Sequence, residues 1–288
     1  MKVLLQAGAD LHAVEEQALR AAACFDGNAA AVELLLDRGA DASAKTSGAG
    51  GYSVFDYPCM TLAPAIMQLL IDHGARPRAA NAGMIIAANE RRPREKAACI
   101  EVLRAAGFEF PDTAPMALHR RDRSGLSLMF KAGTVDIDSR FSEAEIFPDG
   151  CGIRRPAPYA YVTPLSGGVT LLHMAVEFCD TEMAAFLLAH GADVNARSDR
   201  CAEGYGGWTP LFHAAATLHR PRRFADMAEL LLRHGADPAV RASIRKPLAD
   251  ASGDWAIWRN LTAVEFARGL AENDLVNEAA LELIAGVG

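Results

Sequence analysis

Apolar residues recur along this chain in short runs of helical spacing, each stopped by a glycine. Ala31-Val32-Glu33-Leu34-Leu35-Leu36 gathers its apolar side chains on one helical face. It ends at Gly39, a residue able to take the left-handed conformation that closes a helix. The same run and stop appears as LLQAGAD at 4–10, LLDRGAD at 35–41, LIDHGAR at 70–76, LLAHGAD at 187–193 and LLRHGAD at 231–237. The marker glycines Gly8, Gly39, Gly74, Gly107, Gly133, Gly191 and Gly235 stand 31, 35, 33, 26, 58 and 44 residues apart. A period of about 33 residues, lengthened by insertions, is the mark of a helical repeat array. A second, shorter helix is expected upstream in each unit, where Ala22-Ala23, Ala87-Ala88, Ala175, Ala214-Ala215 and Ala267 fall. Small residues there let two helices approach closely. A pair so thin cannot bury its apolar face alone and needs neighbours above and below.

The residues that open the first helix carry a family resemblance. Thr170-Leu171-Leu172-His173-Met174-Ala175 and Thr209-Pro210-Leu211-Phe212-His213-Ala214 resemble the TPLHxA signature of ankyrin repeats, and Gly191-Ala192-Asp193-Val194-Asn195 resembles the turn after the second helix. Thr262 to Ala267 is similar to a degenerate last copy, with weaker copies at Gln17 to Ala22 and Ser53 to Pro58. The resemblance implies an all-α fold, an α-solenoid of about seven to eight ankyrin-type helix pairs with enlarged inter-repeat turns. It also implies that turn tips and first helices line a concave binding face, and that His173 makes structural hydrogen bonds to a neighbouring turn.

Departures from the pattern divide the chain. N-terminal repeats are expected over 1–138. The chain begins in mid-repeat, with residues 2–7 reading as a second helix whose partner helix is not in the sequence. The unit at 110–138 looks interrupted by Pro115 and Gly125. Residues 139–168, rich in Pro and Gly, are expected to form a long loop or finger. C-terminal repeats follow over 169–288, with enlarged turns at 197–208 and 238–260 and a polar cap.

Composition adds exclusions. The chain has 288 residues and is 51% hydrophobic but only 7% aromatic, which suits thin Ala/Leu helix pairs. No apolar run approaches the roughly 20 residues that span a bilayer, and Met1-Lys2-Val3-Leu4-Leu5 reads as a repeat helix rather than a signal-peptide core, so a cytoplasmic location is expected. Cys24, Cys59, Cys99, Cys151, Cys179 and Cys201 show no CxxC spacing, so buried reduced thiols are expected. His73, His190 and His234 each precede a closing glycine, where a helix dipole favours a cation. Whole repeats separate them, so they cannot share a metal. No metal and no cofactor is expected.

Two sets of residues stand out against this bland background. Tyr52, Tyr159, Tyr161, Tyr205, Trp208, Trp255 and Trp258 fall in or beside the enlarged turns, with Arg200 among them. They either anchor a partner, as Tyr and Trp do on recognition surfaces, or fold the inserts back as miniature cores. Arg91, Arg92, Arg94 and Lys96, then Arg120, Arg121 and Arg123, then Arg220, Arg222 and Arg223 recur in the loops between first and second helices. That edge could hold an acidic or phosphate-bearing ligand, nucleic acid included, although the net charge of −7 disfavours a general nucleic-acid surface, and solvated loops are the plainer reading. The expected function is a non-catalytic module that binds a partner protein of unknown identity through the concave face and the turns. The arginine edge is the alternative. An enzyme would have to use Glu143, Glu145, Asp149 and Cys151 of the insert, for which no nucleophile stands beside a base.

Overall fold

The computed structural model describes residues 17–45, 51–88, 92–148, 162–216, 225–248, 253–270 and 276–287. These fold mainly as short helices packed in pairs, a helical repeat architecture. Six marker glycines close their helices in one way; Gly8 lies outside the described residues. Gly39, Gly74, Gly107, Gly133, Gly191 and Gly235 have φ of +92, +93, +91, +67, +91 and +86°. Each donates its N–H to the carbonyl three residues back, and the next residue donates to the carbonyl five back, as Ala40 to Leu35 and Ala192 to Leu187, both at 3.1 Å. Carbonyls that a helix end leaves without partners are thereby bonded. Just before three of these glycines, the Nδ1 atoms of His73, His190 and His234 lie 2.9, 2.8 and 2.9 Å from the carbonyl four residues back, so these histidines add to the cap.

The chain divides into two compact units. The first contains α1 (Gln17–Ala23), α2 (Ala29–Asp37), α3 (Asp56–Met60), α4 (Pro64–Asp72), α5 (Ala79–Ala87) and α6 (Pro93–Ala105). First helices stack as α1 on α3 on α5 and second helices as α2 on α4, with Leu19, Leu35, Ile66, Met67, Leu70 and Ile85 fully buried between them. Asp56 is buried as well, and its carboxylate is saturated by the Ser53 N–H, Asn81 Nδ2 and both oxygens' bonds from Arg78. Lys96, grouped by sequence with the arginine edge, is instead buried in α6, where Nζ donates to the Ile86 and Ala88 carbonyls at 3.1 and 2.7 Å and caps α5.

The second unit runs through α7 (Ala114–His119), α8 (Arg123–Ala132), α9 (Glu143–Ile146), α10 (Leu171–Glu177), α11 (Thr181–Ala189), α12 (Pro210–Ala215), α13 (Ala225–Arg233), β1 (Ala242–Pro247), β2 (Trp255–Leu261), α14 (Ala263–Arg268) and α15 (Glu278–Val287). First helices stack as α7, α10, α12 and α14, second helices as α11, α13 and α15. Register between successive turns is set by one repeated contact. Asp138 accepts from the Asp193 N–H at 3.0 Å, and Asn195 accepts from the Asp237 N–H at 2.8 Å.

Four expectations are corrected here. The units divide near residue 110 rather than at 138, because α7 packs on α10 and belongs with the second stack. Pro115 does not interrupt α7 but begins it, behind the Thr113 N-cap, and Gly125 sits in the first turn of α8, where a side chain would collide with the Asp122 cap. Within 139–168, residues 143–146 make a helical turn with a capping box between Ser142 and Glu145, and Ile146, Phe147, Val162 and Leu165 are buried in the stack. The fold is not wholly α. Ala242–Pro247 and Trp255–Leu261 pair antiparallel, because Ile244 and Trp258 alternate onto the helix-facing side while Trp255 and Ile257 alternate outward.

Candidate recognition surface

The enlarged turn at 197–208 is a closed loop. Ser198 donates its N–H to Trp208 O at 2.9 Å, Gly207 returns to Ser198 O at 3.2 Å, and Cys201 donates to Tyr205 O at 2.8 Å. Gly206 has φ of +127°, and a Cβ there would meet Asp199 O at 2.0 Å, so only glycine lets the two sides of the loop close. From Gly206 the loop bridges to Ser243 of β1. The hairpin and the loop are thus one rigid piece.

Tyr205 and Trp208 lie inside that piece, at 8% and 5% exposure. As exposed anchors they are corrected: both are buried, the Tyr205 ring packs against the Arg245 and Arg259 guanidinium groups, and both residues line a cavity beside Trp255. The Trp208 carbonyl also receives His173 Nε2 at 3.2 Å, and Thr170 N donates to His173 Nδ1 at 3.2 Å. This gives His173 one tautomer and the structural role that the resemblance implies. Burial, then the neighbouring His213, lowers its pKa from the usual range to about 3. Trp258 is half-buried, its ring edge-on to Phe266 at 5.3 Å, and holds the hairpin on α14.

Trp255 stays outside, 51% exposed, with Ile257 at 50% beside it. On the same hairpin face the Arg245 guanidinium sits 5.1 Å from the Trp255 ring centroid and 4.8 Å from that of Tyr205. Arg259 lies 4.7 Å from the Tyr205 ring and donates to its hydroxyl. Stacking of guanidinium on aromatic planes in this way holds both partners in fixed geometry. Glu203 pairs with Arg245 at 3.3 Å, and Arg140 with Asp199 at 3.3 Å. A cavity of about 380 Å³ opens between Gly167-Gly168, the exposed Arg200, Arg245 and Trp255. Tyr52 is exposed in the first unit, 6.4 Å from Tyr57. Tyr159 and Tyr161 lie outside the described residues.

The arginine edge fares differently. Arg121 binds Asp180 at 2.5 and 3.0 Å and Glu182 at 2.9 Å, and Arg123 reaches Glu182 at 2.7 Å. The Asp180 hydrogen bond raises the Arg121 pKa further. Arg121 is therefore a staple between α7 and α11, which corrects its reading as a ligand cation. Arg120 caps α7, Arg92 is half-buried and Arg94 is exposed in the first turn of α6, while Arg91, Arg220, Arg222 and Arg223 lie outside the described residues. Of the insert carboxylates, Glu145 is occupied by the Ser142 N–H and hydroxyl at 2.8 and 2.7 Å, and Asp149 and Cys151 lie outside the described residues. Cys201 is exposed, against the expectation of burial; Cys59 and Cys99 are buried. No described helix is long and apolar enough to cross a membrane.

Residues 172–232 match the family model for ankyrin repeats in many copies. That stretch of the chain consists of ankyrin repeats. The matched stretch holds α10 to α13, where the rings of His173, at the signature position, and His213 lie edge-on, 5.7 Å apart. Among relatives, the human 2-5A-dependent ribonuclease is 45% identical over 71 residues, which is 25% of this chain and 8% of that protein. The human ASB11 ankyrin repeat domain shares 20% identity over 92% of this chain and 96% of its own, with a TM-score of 0.37. The ankyrin repeat domain of Bcl-3 shares 17% over 99% and 90%, with a TM-score of 0.31. Ankyrin repeats generally serve as non-catalytic protein–protein interaction modules.

Proposed function

We propose that the chain binds a partner protein through the first helices and turn tips of its second unit, with the outer face of the β1–β2 hairpin as the anchoring part of that surface. The single observation behind the choice is the pair Trp255 and Ile257. Both are about half exposed on a hairpin whose other face is tied down by Trp258 on Phe266 and whose flank is locked to the 197–208 loop. Exposed apolar side chains on a rigid element are what a recognition hot spot requires, since little entropy is lost when they are covered. On this reading the array counts about seven to eight helix pairs and works in the cytoplasm, in keeping with the free thiols of Cys59 and Cys99. With Arg121 and Arg123 engaged by Asp180 and Glu182, no observation favours a second reading through the arginine edge.

Affinity capture from the source cell with the intact chain and with Trp255→Ala/Ile257→Ala tests the proposal. The intact chain should retain a protein that the double variant loses, with both melting at the same temperature. Equal capture by the two would remove the hairpin from the binding surface, and capture of no protein at all would sink the reading.

A further inference from the structure

β1 is bonded along one edge and, at Ser243, on the other. It pairs with β2 on one side, and on the other Ser243 accepts the Gly206 N–H at 2.8 Å and donates back at 3.3 Å. Backbone groups of successive residues in an antiparallel strand point to opposite edges. Ile244 and Lys246 therefore turn theirs toward Trp258 and Ala256, their partners in the register. By the same alternation Trp255 and Ile257 turn their N–H and C=O groups away from β1, whereas Arg259 lies where the register shifts. The sheet ends there, and among the described residues no backbone group takes them up. Proteins commonly blunt such an edge with proline, a bulge or a covering loop. β2 carries such a bulge only at its end, where the register shifts past Trp258 and Asn260 has φ of +51°; before it, Trp255 and Ile257 stand exposed on the outer face.

Charge beside this edge has one sign in excess. Arg140, Arg200, Arg245 and Arg259 stand around the cavity and the Tyr205 ring, against Asp199 and Glu203, in a chain of net charge −7. The cavity of about 380 Å³ next to Trp255 has room for a side chain. We propose that β2 accepts an extended, acidic segment of a partner protein as a third strand. Its backbone pairs with Trp255 and Ile257, an apolar side chain lies against their exposed side chains, and carboxylates answer Arg200 and Arg259. This rests on the protein-binding reading above and specifies the partner's chemistry. Strand addition supplies affinity through main-chain bonds and selectivity through alternate side chains. A nucleic acid strand would satisfy the charges but has no amide backbone to offer the open edge.

The test uses the full chain and an end-capped heptapeptide alternating Glu and Val, followed by tryptophan fluorescence and calorimetry at low and physiological salt. The peptide should bind, and more weakly as salt rises. Methylating its alternate amides, which leaves the side chains in place, should weaken binding by roughly tenfold or more, the scale of losing one or two hydrogen bonds. Replacing Glu by Lys should abolish binding, and Ile257→Lys should weaken it without changing the melting temperature. No binding at millimolar peptide, equal binding of the methylated peptide, or preference for a single-stranded oligonucleotide would each overturn the proposal. If any of these occurs while Trp255-dependent capture of a cellular protein persists, the strand-addition inference alone is wrong.

Discussion

His213 Nδ1 lies 2.6 Å from Glu177 Oε2, and neither side chain has any solvent exposure. The two stand on neighbouring first helices, α12 and α10, so the bond ties two successive units through their interior. Removing one partner leaves a buried polar group without its mate, a loss of about 3–5 kcal/mol where the group is charged. His213→Leu and Glu177→Leu should each destabilise strongly, while the double variant should cost clearly less than the two together. Urea denaturation of the four proteins gives the coupling directly. Additive losses would show that the helices are held by packing alone.

The neighbouring His173 carries the clearest pH prediction. Its folded pKa is about 3, held down by burial and then by His213, against about 6.5 in an unfolded chain. As pH falls below about 6.5 the unfolded state takes up a proton that the folded state refuses. Its contribution is therefore whole above about 6.5 and lost progressively toward about 3, at no more than roughly 1.4 kcal/mol per pH unit. His173→Gln, which keeps a donor for the Trp208 carbonyl, should flatten stability between pH 7 and 5 relative to the parent. Parallel curves would assign the acid sensitivity to other groups.

Asp180 has two roles that substitution can separate. One oxygen accepts the Met183 N–H at 3.1 Å as the α11 N-cap, and the carboxylate also holds Arg121, whose φ is +56°. Asp180→Asn keeps a capping group and loses the charge. Asp180→Ala loses both, so it should be less stable than the Asn variant by about 1 kcal/mol, the usual worth of a cap. Thermal melts that rank the two variants equal would mean that the cap contributes nothing here.

What the sequence made legible follows from where the information is local. A helix stop needs one glycine and a run behind it, and both are adjacent in the chain, so Gly39, Gly74, Gly107, Gly133, Gly191 and Gly235 could be placed in advance. Thr170 and His173 were equally readable, since their cap is three residues long. Features that depend on distant partners were not. Lys96 looks like surface charge until the Ile86 and Ala88 carbonyls are seen around it, and Arg121 looks free until Asp180, 59 residues on, is in place. Trp208 and Tyr205 resembled exposed anchors because nothing local shows the Gly206–Ser243 bridge beside which they are buried. The hairpin was hidden in an enlarged turn. Ser243-Ile244-Arg245-Lys246 and Ala256-Ile257-Trp258-Arg259 alternate for only a few residues each, and their pairing spans the turn between them.

The repeated glycine cap offers a stringent last prediction because steric and conformational causes separate cleanly there. At Gly39, Gly74, Gly191 and Gly235 a Cβ would meet nothing within 4 Å, yet φ lies between +86 and +93°. Alanine at these positions would therefore be opposed by backbone strain alone, about 1–2 kcal/mol for an L-residue in the left-handed region. Gly191→Ala and Gly235→Ala should each lower stability by that amount, and Asn at the same sites should recover part of it, since Asn tolerates the region better. Gly206→Ala is the contrast, because a Cβ there would lie 2.0 Å from Asp199 O and force the loop open. It should cost more than either cap variant. Chemical denaturation of the set ranks them, and a Gly191→Ala protein as damaged as Gly206→Ala would show that the cap position is sterically closed after all.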